Sequence, residues 1–281
     1  MKPGRLFLLT MLAMIAFAGN SLLCRVALRE TSIDPASFTA IRIVSGAAVL
    51  WILMRVRKVS LGEAGNWISA LALFVYAAAF SFAYLHLSAG TGALLLFGAV
   101  QATMILWSLR KGERLAVTQF IGLLLAFGGL VVLVFPGLSA PPLVSSILML
   151  GAGIAWGVYS LRGKTAGDPA SATAGNFLRA VPFALLLALA ALRWARLDGA
   201  GVTYAVVSGA LASALGYIIW YMALPQLKAA TAATVQLSVP VLAASGGILL
   251  LGEHITLRFV FAAIAVLGGI ALVVLEQNRA R

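Results

Sequence analysis

Polar side chains inside long apolar runs are the first residues to consider, because each costs free energy unless it has a partner or a task. Asn20, Gln101 and Gln236 each lie well inside such a run. Ser238 and Pro240 follow Gln236 closely, and a proline there frees carbonyls that a polar solute or water can meet. Amides at such depth can serve a solute or can join helices by hydrogen bonds, and the sequence leaves both open. Two arginines share these runs. Arg42 is about six residues, roughly 9 Å, into its run and can snorkel to the surface, a structural role. Arg179 sits deeper, with Asn176 one turn before it and Pro182 one turn after. It can hold a carboxylate or satisfy carbonyls at the proline kink.

Aromatic residues recur at helical spacing. Tyr76, Phe80 and Tyr84 run along one face of the third apolar run. Trp156 and Tyr159 share a face of the sixth, Tyr217, Trp220 and Tyr221 one of the eighth, and Phe97 lies at mid-depth in the fourth. Tyr84, Trp51, Trp67, Trp107 and Trp194 fit an interfacial aromatic belt. The others are too deep for it. Rings with a few amides suit amphipathic solutes, and aromatic faces attract an ammonium group. The candidate solute-binding set is therefore Asn20, Tyr76, Phe80, Phe97, Gln101, Trp156, Tyr159, Arg179, Tyr217, Trp220 and Gln236.

The elements that position these residues follow from composition. Of 281 residues, 62% are hydrophobic and 10% charged. A soluble domain is about half apolar and a quarter charged, so a water-soluble fold and intrinsic disorder are both excluded. Ten runs are long enough to span a bilayer. They cover about 6–24, 35–54, 67–87, 90–109, 117–135, 142–161, 171–192, 202–224, 229–251 and 259–275. Solid apolar runs, without period-two alternation, predict helices and not a barrel. The first run also has the form of a secretory signal, with Lys2 and Arg5 before it and Ala16-Phe17-Ala18 as a cleavage-like site.

The net charge of +12 is scattered among short loops, so no basic face for nucleic acid is expected. Lys and Arg number 13 on one set of loops and 5 on the other, which predicts both termini in the cytoplasm. A lone cysteine, Cys24, excludes an internal disulfide. The two histidines, His86 and His254, fall in loop-like places in opposite halves, so no metal-hydrolase cluster is expected. Nor is a phosphate-binding loop present. No cofactor is expected, and an enzyme is not.

An internal repeat organises the chain. Asp34-Pro35-Ala36-Ser37-Phe38-Thr39-Ala40 and Asp168-Pro169-Ala170-Ser171-Ala172-Thr173-Ala174 agree at six of seven positions, 134 residues apart. Each is a helix start, with a capping aspartate and a proline where no amide donor is needed. Gly112-Glu113-Arg114 matches Gly252-Glu253-His254, and Gly128-Gly129 matches Gly268-Gly269, both at an offset of 140. More weakly, Phe17-Ala18-x-Asn20 with Arg25 parallels Trp156-Gly157-x-Tyr159 with Lys164. The expected units are 1–138 and 139–281, five spans each. Five is odd, so the second copy must lie inverted across the membrane. Such inverted repeats build alternating-access transporters with a midplane site between the copies. The small-residue pairs Gly153-x-x-x-Gly157 and Gly209-x-x-x-Ser213, with the two Gly-Gly steps, predict close helix contacts.

The aromatic-small-x-polar pattern in the first span of each half, with Leu237-Ser238-Val239-Pro240, Gly252-Glu253 and a Gly-Gly-bearing last span, resembles the EamA-type branch of the drug/metabolite transporter superfamily. The resemblance covers the whole chain. The first half departs from it, with Phe97-Gly98-Ala99-Val100 in place of Leu-Ser-x-Pro and Phe17-Ala18 in place of Trp-Gly. Within the family, the aromatic-rich spans are most similar to the YddG-type amino-acid exporters of bacterial inner membranes. The resemblance implies an all-α integral membrane protein of ten transmembrane helices around a central cavity. It also implies export of amino acids, aromatic and other neutral ones, and of related small metabolites. The expected partners are a small-molecule substrate and membrane lipids, with the chain a monomer or homodimer. All eight Asp and Glu fall in loops or at span ends, which predicts facilitated movement without obligate proton exchange. A lipid or isoprenoid-carrier flippase and a drug/metabolite:proton antiporter are the alternative readings.

Overall fold

The computed structural model describes residues 3–59, 64–110, 116–135, 137, 140–163, 167–227, 235–236 and 238–279. Among them are eight helices, or broken helices, long and apolar enough to cross a membrane, and two shorter apolar ones, with no strand. They run in order as α1 (Pro3–Glu30), α2 (Pro35–Val56), α3 (Trp67–Tyr84), α4 (Ala89–Arg110) and α5 (Val117–Val134). The second set is α6 (Leu143–Gly163), α7 (Pro169–Ala190), α8 (Gly199–Val207), α9 (Gly216–Ala223), α10 (Ser238–Leu251) and α11 (Leu257–Arg279). Between α8 and α9 the span continues as a π-helical turn, Ser208–Leu215. Helices are the only open-ended elements that satisfy every backbone group in lipid, which is why uniformly apolar runs adopt them. The outer surface carries Phe7, Phe127, Leu186, Leu249 and Phe261, each more than half exposed, as a lipid-facing wall requires.

The two halves lie head over tail. Asp34 caps α2, accepting from the amides of Ala36 (3.0 Å) and Ser37 (2.9 Å), and Asp168 caps α7 through Ser171 N (2.9 Å). Yet Ser171 Oγ lies 3.8 Å from Met54 Sδ, so α7 starts beside the end of α2 and the two equivalent helices run antiparallel. Asp34 sits at the opposite end, where its other oxygen accepts from Arg196 N at 2.9 Å. The packing is its own image under exchange of halves. Helix α2 packs on α7 and α5 on α11, while α3 on α6 mirrors α8 and α9 on α1, and α4 on α6 mirrors α10 on α1.

Several expectations change in detail. The first run is one helix through Glu30, and Phe17 lies inside the bundle against four rings, so this segment is part of the fold. Each Gly-Gly step uses only its second glycine as a contact. A Cβ on Gly129 would meet Ala265 and Val266 at 2.9 Å, and one on Gly269 would strike the Gly122 carbonyl, whereas Gly128 and Gly268 have open space. Gly153 faces the Leu96 carbonyl, Gly157 faces Thr103, and Gly209 faces the Arg42 carbonyl, as their spacing predicts. The Gly112-Glu113-Arg114 motif, Lys164 and Leu237 lie outside the described residues.

Candidate functional site

At mid-bundle, α1, α2, α3, α6 and the α8–α9 span converge on one buried cluster. Asn20 on α1 donates from Nδ2 to Tyr76 OH (3.2 Å) and accepts at Oδ1 from Ser208 Oγ (2.6 Å). Arg42 on α2 donates from Nε to Ser213 Oγ (3.0 Å) and from Nη2 to Tyr76 OH (3.2 Å) and Tyr217 OH (3.0 Å). Its guanidinium also lies 5.2 Å from the Tyr76 ring centre and 5.0 Å from that of Phe80. Ser208 and Ser213 both come from the π-helical turn, whose extra residue per turn lets two serines face the cluster five positions apart. Gly209 lets α2 pass directly over that turn, because a Cβ there would strike the Arg42 carbonyl and Ser45 Oγ.

Trp156 is the hub of the rings. Its centroid lies 4.6 Å from Tyr217, 4.9 Å from Tyr76, 5.5 Å from Tyr159 and 5.7 Å from Phe17. Phe17 also meets Trp220 (6.0 Å) and Phe97 (6.5 Å). Seven of the sequence candidates thus share one ring system with Asn20: Tyr76, Phe80, Phe97, Trp156, Tyr159, Tyr217 and Trp220. All are buried.

The remaining candidates are placed elsewhere. Gln101 is buried and borders an apolar cavity of about 260 Å³ between α4, α5 and α11. Gln236 is buried just ahead of α10. Arg179 turns away from the rings, donating from Nη1 to the carbonyls of Ala64 and of Gly175, the latter at 3.2 Å. These are not the carbonyl freed by Pro182, which belongs to Leu178, four residues earlier. Arg179 thereby ties α7 to the segment entering α3.

Arg42 corrects the sequence reading. It does not snorkel: it is 1% exposed and bends inward to both halves. Depth along a helix gives distance to the surface but not the side of the helix on which a residue lies, and the inward face wins here because three hydroxyls await it. Tyr84 corrects it too. It is fully buried, its OH donating to Ala89 O at 3.3 Å and its ring 4.7 Å from Phe80, so it is not in an interfacial belt. Trp51, Trp67, Trp107 and Trp194 are exposed, as a belt requires. Phe17, Ser208 and Ser213 are members that sequence reasoning missed. Phe17 stood in the repeat pattern opposite Trp156, which was a usable signal; Ser213 was legible only as half of a helix-contact pair, and Ser208 carried no signal.

Two cavities flank the cluster on opposite faces. On the Asp34 face a cavity of about 260 Å³ is lined by residues including His86, Ser88, Thr91, Glu253 and His254. The histidines from opposite halves thus meet at one cavity. Beside it, Arg25 Nε pairs with Glu253 Oε1 at 3.0 Å, and its Nη1 donates to Tyr84 O and Leu85 O. Glu253 Oε2 accepts from Ala89 N at 2.8 Å, so this pair joins α1, the α3–α4 turn and the α10–α11 loop. On the other face a cavity of about 380 Å³ is lined by residues including Asn66, Ser69, Arg162, Asp168, Asn176 and Tyr221. Tyr221 stacks on Tyr159 at 5.9 Å. An unbroken file of rings therefore separates the two cavities: Tyr84, Phe80, Tyr76, Trp156, Tyr159, Tyr221. Phe80 and Tyr84 on α3 match Tyr217 and Tyr221 on α9 at an offset of 137, so each half supplies the tyrosine at one end of the file.

The sequence pattern of the EamA-like transporter family matches the chain twice, over residues 5–135 and 143–275. The chain belongs to the EamA-like transporter family. It is a multi-pass membrane transporter built from two copies of that unit, as the packing symmetry requires. It is 60% identical to the uncharacterized protein PA1977 of Pseudomonas aeruginosa over 274 residues, 97% of this chain and 96% of that one. It is 35% identical to the threonine/homoserine exporter RhtA of Salmonella typhimurium over 147 residues, 49% of this chain and 48% of the exporter. A solved crystal structure of a protein 16% identical matches it with a TM-score of 0.68 over 99% of both chains, which shows a shared fold.

Proposed function

We infer that this transporter exports neutral amino acids, aromatic ones included, and related small metabolites across a bacterial inner membrane by alternating access. The observation that carries this reading is the ring cluster with a few hydrogen-bonding groups, closed between two cavities at the interface of antiparallel halves. Rings favour apolar side chains, and the polar atoms of Asn20 and Arg42 give a charged backbone something to meet. Similarity to a threonine/homoserine exporter over half the chain supports an amino-acid substrate. The proposed solute-contacting set is Asn20, Tyr76, Phe80, Phe97, Trp156, Tyr159, Tyr217 and Trp220; Gln101, Gln236 and Arg179, the other candidates from the sequence, lie outside the ring cluster. The units are 1–138 and 139–281.

In this mechanism the Arg25–Glu253 pair with Tyr84 closes one face, and Tyr221 on Tyr159 closes the other. Near-symmetric halves give two states of similar energy, and a solute that binds both equally moves down its gradient. Among the described residues the ring cluster holds no carboxylate, which supports facilitated movement without obligate proton exchange. Both termini are cytoplasmic in this reading, by the excess of Lys and Arg on their side.

Counterflow in proteoliposomes against a panel of labelled amino acids tests it. Trp156→Ala, which removes the hub, is expected to lower flux at least about tenfold. Undiminished flux in that variant moves the site elsewhere. Accumulation driven by an imposed pH gradient alone contradicts the uncoupled mechanism. Flux of lipid with none of any amino acid favours a flippase.

A further inference from the structure

Arg42 brings a full positive charge to the centre of the bundle, and among the described residues no carboxylate pairs with it. Its Nε and Nη2 reach only hydroxyls, those of Ser213, Tyr76 and Tyr217. Hydroxyls satisfy donors but do not neutralise charge. Nη1 is buried with no hydrogen-bond partner at all. A second buried donor, Trp156 Nε1, is also without one. Both residues pack on the same two tyrosines, Tyr76 and Tyr217. Guanidinium and indole nitrogens donate and never accept, so whatever completes this site supplies acceptors. A buried guanidinium further calls for a negative charge with good geometry. The ring contacts with Tyr76 and Phe80 account for the plane of Arg42 but not for the open Nη1.

We propose that Arg42, with Trp156 Nε1, receives the carboxylate of the transported amino acid, and so makes the carboxylate itself a requirement for transport. This rests on the amino-acid reading above and adds to it the group that is recognised. Arg42 belongs to the first half, but Ser213 and Tyr217 of the second half orient it. The seat therefore exists only while the two halves meet around it, which couples solute binding to the arrangement of the repeats. The planar fork of arginine matches two carboxylate oxygens, which a lysine ammonium does only as a point charge.

The experiment uses the full-length protein in proteoliposomes. Counterflow of labelled L-threonine, L-methionine and L-phenylalanine first identifies the acid taken up fastest. That acid, its amide and its decarboxylated amine are then compared as competitors. The acid is expected to compete at least about tenfold more strongly than the amide or amine. Arg42→Lys is expected to keep part of this preference, Trp156→Phe to narrow it, and Arg42→Gln to abolish it. Equal competition by acid, amide and amine in the unaltered protein overturns the proposal, as does a full preference surviving in Arg42→Gln. If Arg42→Gln does not elute as a monodisperse species, the unaltered protein and the Lys and Phe variants decide by the same ratio. Absence of counterflow for every amino acid removes the export reading and this seat with it, whereas amino-acid flux without discrimination removes the seat alone.

Discussion

Asn20 stands where three helices meet, and both ends of its amide are used. Its Nδ2 serves Tyr76 on α3, and its Oδ1 serves Ser208 in the π-helical turn. Removing one partner of a buried bond leaves the others unsatisfied, at about 1–3 kcal/mol. Asn20→Ala is therefore expected to lower stability in detergent by about that amount and, by loosening Tyr76, to weaken solute binding as well. Thermal unfolding and a competition assay on the same preparation check the two effects. Unchanged stability in Asn20→Ala would show that these bonds are not formed in solution. Asn20 and the deep rings were legible in the sequence, because polar and bulky residues inside an apolar run are conspicuous. Arg42 was legible as a cost but not as a member, since its direction depends on α3 and the α8–α9 span, which are distant in the chain.

The helices are set by their ends and by their closest approaches. Asp34 and Asp168 cap equivalent helices at opposite faces. Burial works against their charged forms, but hydrogen bonds outweigh it, from Ser37, Arg196 and Ala36 for Asp34 and chiefly from Ser171 for Asp168, so both carboxyls are held below the usual aspartate range. A lowered folded-state value means stabilisation that is fully present above the unfolded value of about 3.9 and is lost as pH falls through the lower folded value. The acid limb of a thermal-stability profile is thus expected only below about pH 4, and Asp34→Ala is expected to cost about 1 kcal/mol at neutral pH and to flatten that limb. The glycine steps make a paired test. Gly128→Ala enters open space and is expected to be neutral or to stabilise by up to about 1 kcal/mol, whereas Gly129→Ala meets α11 and is expected to destabilise by about 1–3 kcal/mol. Equal midpoints for the two variants in one unfolding series would contradict the α5–α11 contact. The Gly-Gly motif was readable in the sequence; which glycine of each pair touches the partner was not, because that depends on helix rotation.

For the molecule as a whole, the antiparallel copies place Asp34 and Asp168 on opposite faces. Cys24 is the single cysteine and is buried, so single-cysteine labelling needs little background removal. Cysteines introduced at the exposed positions Ser32 and Gly167 are expected to react from opposite sides of a sealed vesicle. Reaction of both from one side would defeat the inverted arrangement and the export mechanism built on it. The two closures are equally concrete at this scale. One rests on an ion pair, Arg25 with Glu253, between the first helix of one half and the loop after α10 in the other. The opposite one rests on stacked tyrosines.

Composition alone determined that this chain lives in lipid, since 10% charge cannot solvate 281 residues in water. Run lengths gave the number of spans, and the repeated Asp-Pro start, with an odd count per half, required inversion. Those features are local or periodic, and a linear string records them directly. Only the tertiary structure decided that Arg42 turns inward and Arg179 outward to carbonyls, that Tyr84 is internal, and that His86 and His254 share a cavity. The physical reason is that a side chain on a helix chooses its neighbour by the rotation and crossing of that helix, and these are fixed by packing against other elements, for Arg42, Arg179 and the two histidines across more than a hundred residues of chain.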